Sequence, residues 1–397
     1  MTLKQALIFQ TLVSVVADTM LLPFYPQFFA EEFGNTSPEH VGLYIAACCF
    51  TVMVALPLWA KVARRVNEFP LWVMTQLAAG MLAIAAWRVD SLVGFWAITQ
   101  AMLVFKASYL LIYPFVMRLE EKDRHLGVAG LFSVLIHFGA IGGALLGGWL
   151  LEYAHPRSIY LIMAGTDVLQ AAVCIFIIRR HKVALRQNAV PALDADRAPE
   201  AESRGNPLIF QIGIVSLLFY LSAFLMRPFF SPYWTKVSGN DSELLAGVVY
   251  AIPAWVALAA LWFNRRGGKE RSSYAAVLQA LIVAMFGAAV QGIGHPLAVV
   301  LGRILYGWAL FQGTVRLEVL VFELSSRRHY AMDFSRIHIY QNVGVLLASF
   351  AVGSLVSAFD LQMPFMAALA GFAVTLLVFI MMFGSRLWPS LARMPSA

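Results

Sequence analysis

The sequence predicts an all-α membrane protein, with twelve transmembrane helices gathered into two pseudo-symmetric six-helix bundles. Three observations carry that expectation. Of 397 residues, 60% are hydrophobic and 13% charged, about half the charge of a soluble domain, which leaves too little polar surface to dissolve a globule. The mean hydropathy is +0.73, and apolar runs of roughly 20 residues, long enough to cross a bilayer, recur along the whole chain. The basic residues crowd alternate inter-run segments and avoid the others, as they do when positive charge is kept on one side of a membrane. The net charge of +7 would suggest nucleic acid in a soluble chain; here it is a topological signature and excludes no small-molecule partner.

Taken in order, the first span is predicted at 6–30. It is too long for a signal-peptide core and carries Asp18 and Pro23, so no cleavable leader is expected. Spans at 41–60, 70–87, 92–117, 127–151 and 158–178 follow. A polar stretch begins at residue 179; its charge-, Ala- and Pro-rich portion, 182–206, reads as a flexible cytoplasmic linker between an N-terminal bundle (1–181) and a C-terminal bundle (207–397). The second half supplies spans at 208–230, 244–263, 273–293, 297–322, 337–357 and 364–385. With the amino terminus inside, 22 of 29 Lys and Arg fall on inner segments, Arg88, Arg157 and Lys236 on outer loops, and Lys106, Arg227, Arg303 and Arg316 within spans. Both termini are therefore expected in the cytoplasm, with the chain multi-pass in the inner membrane.

The halves echo each other. The first span carries Pro23-Phe-Tyr-Pro26 and the seventh Pro228-Phe-Phe-Ser-Pro232-Tyr; the second runs from Gly42 to Leu58-Trp59 and Arg64-Arg65, the eighth from Gly247 to Leu261-Trp262 and Arg265-Arg266. The shared order predicts a six-plus-six internal repeat, as in duplicated transporters. Cys48, Cys49 and Cys174 lie in apolar runs without CxxC spacing and read as packing residues. No metal cluster is expected. Gly267-Gly268-Lys269-Glu270 lacks the upstream glycine and the Ser/Thr of a nucleotide-binding loop, so ATP is not the expected energy source.

On these residues the chain resembles the major facilitator superfamily, and within it the drug:proton antiporters. Asp18 to Pro26, running to Gly34, is similar to that branch's first helix. In the fifth span Gly130, Gly139, Gly143, Ala144, Gly147 and Gly148 follow the antiporter signature G-x8-G-x3-G-P-x2-G-G, with Ala144 for Pro. Gly139, Gly143 and Gly147 share one helix stripe that lets a neighbour approach closely. The loop after the second span stands where the family carries Gly-Asp-Arg-Gly, and only Arg65 matches. The resemblance implies export driven by the proton gradient, no cofactor, and a cavity lined by helices one, four, five, seven, eight, ten and eleven.

Ionisable groups at membrane depth mark pathways. Asp18 is the first candidate for proton coupling, with a structural pairing to Lys106 across the first and fourth helices as the alternative or companion reading, and Glu318 is the second. Lys106, Arg303, Arg227 and Arg316 are candidate substrate ligands, with His137, Tyr25 and Asn342 as further handles. Asp167, on a helix that the resemblance puts outside the cavity, is expected to be structural. Four basic groups against Asp18 and Glu318 favour an anionic or zwitterionic cargo, because guanidinium and ammonium groups match oxygen-rich anions. The aromatics Phe24, Tyr25, Phe28, Phe29, Phe229, Phe230, Tyr233 and Trp234 are expected mostly as anchors at the membrane interface. The expected partners are the bilayer and a small molecule, without nucleic acid and as a monomer. General likeness to siderophore exporters of the alcaligin and vibrioferrin type implies a siderophore cargo; multidrug efflux and a non-transporting sensor or scaffold are the alternatives.

Overall fold

The computed structural model describes residues 3–63, 65–119, 125–181, 207–264, 272–325 and 330–387. The predicted linker at 182–206, Arg64 and most of the basic loop residues that set the predicted topology lie outside them. Among the described residues the chain is helical throughout, with no strand, and has twelve stretches long and apolar enough to cross a membrane. The helices are α1 (Leu3–Thr19), α2 (Tyr25–Phe33), α3 (Pro38–Ala63), α4 (Glu68–Arg88), α5 (Leu92–Lys106), α6 (Ile112–Leu119), α7 (His125–Tyr153), α8 (Ser158–His181), α9 (Pro207–Leu225), α10 (Phe230–Ser238), α11 (Glu243–Asn264), α12 (Ser273–Gln291), α13 (Pro296–Leu324), α14 (Tyr330–Ala358) and α15 (Met363–Leu387).

Three predicted spans prove to be broken helices. The first is α1 and α2 joined through a 3-10 turn at Leu22–Phe24. The seventh is α9 and α10, so the predicted end at residue 230 is in fact the start of a second piece. Pro23, Pro26, Pro228 and Pro232 explain both breaks, since each lacks a donor and crowds the preceding turn. The two outer pieces match: each is nine residues long and ends on a left-handed glycine, Gly34 at φ 62° and Gly239 at φ 65°, whose amides bond back to Phe29 and Thr235 carbonyls. The fourth span breaks after Lys106 into a 3-10 turn, Ala107–Leu111, before α6. Irregular backbone at membrane depth needs protein partners; the Trp72 indole donates to the Ser108 carbonyl at 3.0 Å, and Thr75 and Ser108 share a hydroxyl bond of 2.7 Å. The predicted eleventh span starts seven residues too late, because Asp333 and Arg336 make its first turns polar while pairing at 3.8 Å.

The described chain forms two compact units. One comprises Met1–Thr36, Tyr44–Glu202 and Ser242–Val248; the other comprises Ser37–Leu43, Ser203–Asp241 and Val249–Ala397. In the first, α4 lies along α8 and α1 along α7, over a core of Leu7, Phe69, Trp72, Ile112, Phe132 and Ile177. In the second, α12 packs on α13, and α9 on α14. Gly287 and Gly302 sit where an added Cβ would strike the facing backbone, the close approach that small residues permit in lipid.

The aromatics expected at the membrane interface are instead interior. Phe24, Phe28, Phe29 and Phe230 are fully buried, with Phe229, Tyr233 and Trp234 nearly so. Phe28, Phe29, Tyr44, Phe95 and Tyr160 form a continuous cluster of edge, tilted and stacked contacts at 4.9–5.9 Å. Because the broken first span turns its nine-residue piece inward, this aromatic surface goes to packing.

Candidate functional site

Each unit carries its own cluster of charge. In the first, Gln10, Ser14 and Asp18 recur every four residues and so share one face of α1. Lys106 is the last residue of α5, where unpaired carbonyls favour a cation. Its Nζ stands 2.8 Å from Asp18 Oδ1 and 2.9 Å from Asp167 Oδ1 on α8, and the three side chains are 3%, 25% and 0% exposed respectively. Ser14 donates weakly to Asp18 Oδ2 at 3.5 Å. Asp167, expected to be structural and apart, is thus the second carboxylate of an ion triad. Lys106, weighed above both as a substrate ligand and as the partner of Asp18, is outnumbered by acids there. A buried carboxylate at mid-membrane needs a cation, and that requirement was the signal available in the sequence.

The second unit has the opposite balance. Arg303 on α13 is 2% exposed and its guanidinium carbon lies 4.2 Å from the Phe230 ring, 5.1 Å from Tyr250 and 5.8 Å from Tyr306. Such faces attract a cation more strongly when water is excluded. One terminal nitrogen donates to the Tyr250 carbonyl, while Nε and Nη1 have no acceptor. Arg227, in the break between α9 and α10, lies over Phe224 at 5.5 Å, and Tyr250, Tyr306 and Arg303 fall within its electrostatic reach. Neither arginine has a carboxylate at ion-pair distance among the described residues. Glu318 and Arg316, two residues apart on α13, do not pair with each other, and Arg316 Nε is buried without a partner. Tyr220 is the electrostatic neighbour of Glu318.

Of the remaining candidates, His137 spends Nδ1 on the Ser133 carbonyl of its own helix at 2.7 Å. Tyr25 joins the aromatic cluster, 5.2 Å from Tyr44. Asn342 and Arg65 are exposed. The glycine stripe of α7 is the seat of α1: an added Cβ would meet Val15 at Gly139, Thr19 and the Val16 carbonyl at Gly143, and the Met20 carbonyl at Gly147. Thr19 also donates to the Gly139 carbonyl at 3.2 Å. The stripe therefore sets the position of the helix that carries Asp18. Gly148 faces another way, toward Glu243 and Leu244 at the start of α11, where Glu152 accepts from Ser242 Oγ at 2.6 Å and from the Leu244 amide at 2.9 Å.

A family model described as Major Facilitator Superfamily matches residues 7–315. Multidrug resistance protein MdtG of Dickeya zeae (strain Ech586) is 21% identical over 361 residues, covering 88% of this chain and 86% of that protein. Among solved structures, a mutant of the nucleoside transporter NupG superposes with a TM-score of 0.74 at 14% identity, over 96% of this chain and 100% of that one. A bacterial homolog of the human lysosomal transporter Spinster, inward-facing and occupied, gives 0.72 at 11% identity, over 99% and 98%. The two structures share the fold.

Proposed function

The chain belongs to the Major Facilitator Superfamily, and from that premise we propose that it is a proton-driven exporter of small organic anions or zwitterions. The observation that carries the cargo assignment is Arg303, fully buried among three rings with two guanidinium nitrogens unspent and Arg227 beside it. Buried, charged N–H donors left without an internal acceptor suit an oxygen-rich anion such as a carboxylate or hydroxamate. Siderophores, the cargo implied by the sequence resemblance, are members of that class. Asp18 supports the proton side of the reading: it is the partly open member of the Lys106 triad. In this reading the protein works as a monomer in the inner membrane with both termini cytoplasmic, the orientation favoured by the Lys and Arg alternation.

A second reading is multidrug efflux of amphipathic compounds, favoured by the likeness to MdtG over 88% of the chain. Flux of matched carboxylate, zwitterionic and cationic probes into proteoliposomes separates the two. Arg303→Gln removes charged hydrogen bonds worth about 1.5–3 kcal/mol, so apparent affinity for the anionic probe should fall about 10- to 100-fold with the cation unaffected. Preferred transport of the cation, or an anion affinity indifferent to Arg303→Gln, refutes the anion assignment in favour of multidrug efflux.

A further inference from the structure

We infer that Asp167 is the fixed counterion that makes Asp18 protonatable, so that the Asp18–Lys106–Asp167 triad exchanges one proton per cycle, at Asp18. The inference rests on the proton-antiport reading and adds a residue and a stoichiometry to it. Lys106 lies within 3 Å of both carboxylates and is nearly sealed from solvent. Had Asp18 been its only partner, protonating Asp18 would strand a buried ammonium, and the pair would resist the proton. With Asp167 in place, a proton arriving on hydronium bonds to a carboxylate oxygen of Asp18 and leaves water behind, while the ammonium keeps its ion pair with Asp167. The triad passes from one net negative charge to neutral, and no unpaired charge forms at either stage.

The two acids are not interchangeable, because their surroundings differ. The Asp18 side chain is a quarter exposed and is approached by Lys106, Ser14 and Tyr109; Asp167 is shut in. Its Cβ lies against Gly80 of α4, 3.4 Å from where a side chain there would begin. One turn along each helix, toward the end where α4 starts and α8 ends, stand Gln76 and Gln170, buried, with neither amide taking a protein partner. Orphaned amides beside a carboxylate are groups that a bound water would bridge to its ionised form. The titratable groups that face Asp167 are few: Asp18 from α1, and Lys106 and Tyr109 from the fourth span; α4 lays Gly80 against it and presents no titratable group at this depth. Cys174 lies two turns along α8 itself and is engaged with Gln10.

The test is substrate exchange by the full chain in proteoliposomes as a function of pH. Asp167→Asn should shift the profile toward acid by at least about one pH unit, because Asp18 alone then holds Lys106; Lys106→Met, which leaves two facing carboxylates, should shift it toward alkaline. Asp167→Glu should restore the wild-type profile. Opposite shifts are not produced by damage to the fold. A wild-type profile that responds to pH while Asp167→Asn leaves it unmoved overturns this inference alone; wild-type flux indifferent to a proton gradient overturns the antiport reading and this inference with it. Independently of folding in any variant, a membrane-soluble carbodiimide, which modifies protonated carboxyls, should label wild-type Asp18 increasingly as pH falls. Labelling at Asp167 in place of Asp18 reverses the roles and overturns the assignment.

Discussion

Replacing Gly147 by alanine tests whether the α7 stripe is a fitted seat. The new methyl would be driven into the Met20 carbonyl, and a backbone oxygen has no rotamer by which to withdraw. Relief requires α1 to move off α7, an overpacking that costs about 1–3 kcal/mol. Alanine's better helix propensity returns about 0.5–1 kcal/mol, leaving a net loss of about 0.5–2 kcal/mol by difference. Gly165 in α8 is the control, since an added Cβ there meets nothing within 4 Å. Gly165→Ala should therefore keep the propensity gain and stabilise by about 0.5–1 kcal/mol. Unfolding in mixed micelles, followed by tryptophan fluorescence, reads both. Because Gly143 and Gly147 contact the stretch of α1 around Asp18, proton-coupled exchange should weaken in Gly147→Ala and not in Gly165→Ala. A Gly147→Ala protein as stable as wild type, or two variants that move together, would refute the seat.

One further site probes each unit. Arg157 donates to Glu32 at 2.6 Å, to Asp90 at 3.1 Å and to the Val89 carbonyl at 3.0 Å. Arg157→Met leaves Glu32, 6% exposed, with only His155, and should cost about 1–3 kcal/mol; Asp90→Asn, at a side chain 94% exposed, should change the melt by nothing measurable. Equal effects would show that the network is held from its solvent side. In the second unit the Tyr233 hydroxyl donates to the Gln291 carbonyl at 2.5 Å while its ring packs at a tilt on Phe365, centroids 4.3 Å apart. Tyr233→Phe keeps the ring and should cost about 1 kcal/mol; an unchanged midpoint of unfolding would count against that bond.

The twelve spans were legible because hydropathy over a run of twenty residues needs no knowledge of neighbours. The breaks in the first and seventh spans were written in their prolines. So was the break in the fourth: Pro114, with no amide proton, denies the Leu110 carbonyl its partner, and the chain tightens into a 3-10 turn just before it. Orientation about each helix axis was not legible. A helix that is apolar all round has no periodicity to say which face is inside, so Phe28 and Phe29 read as interface anchors and turned out to be core. The glycine stripe showed that something sits against α7, and the structure supplied its occupant, α1. Asp167 and Lys106 lie 61 positions apart on different helices, and no local pattern joins them. A charge tally over the whole chain concealed the division that matters, acid excess in one unit and unpaired arginine in the other.

The bend shared by the first and seventh spans has a consequence for how such a molecule diversifies. Both copies keep a proline-set kink, a nine-residue arm and a left-handed glycine stop, yet one follows an aspartate and the other contains an arginine. The same backbone arm carries different side chains in the two places: the kink is a socket, and the residue beside it is the fitting. Chemistry can be exchanged at such a socket without rebuilding the helix, which makes these short arms natural places to graft a new specificity.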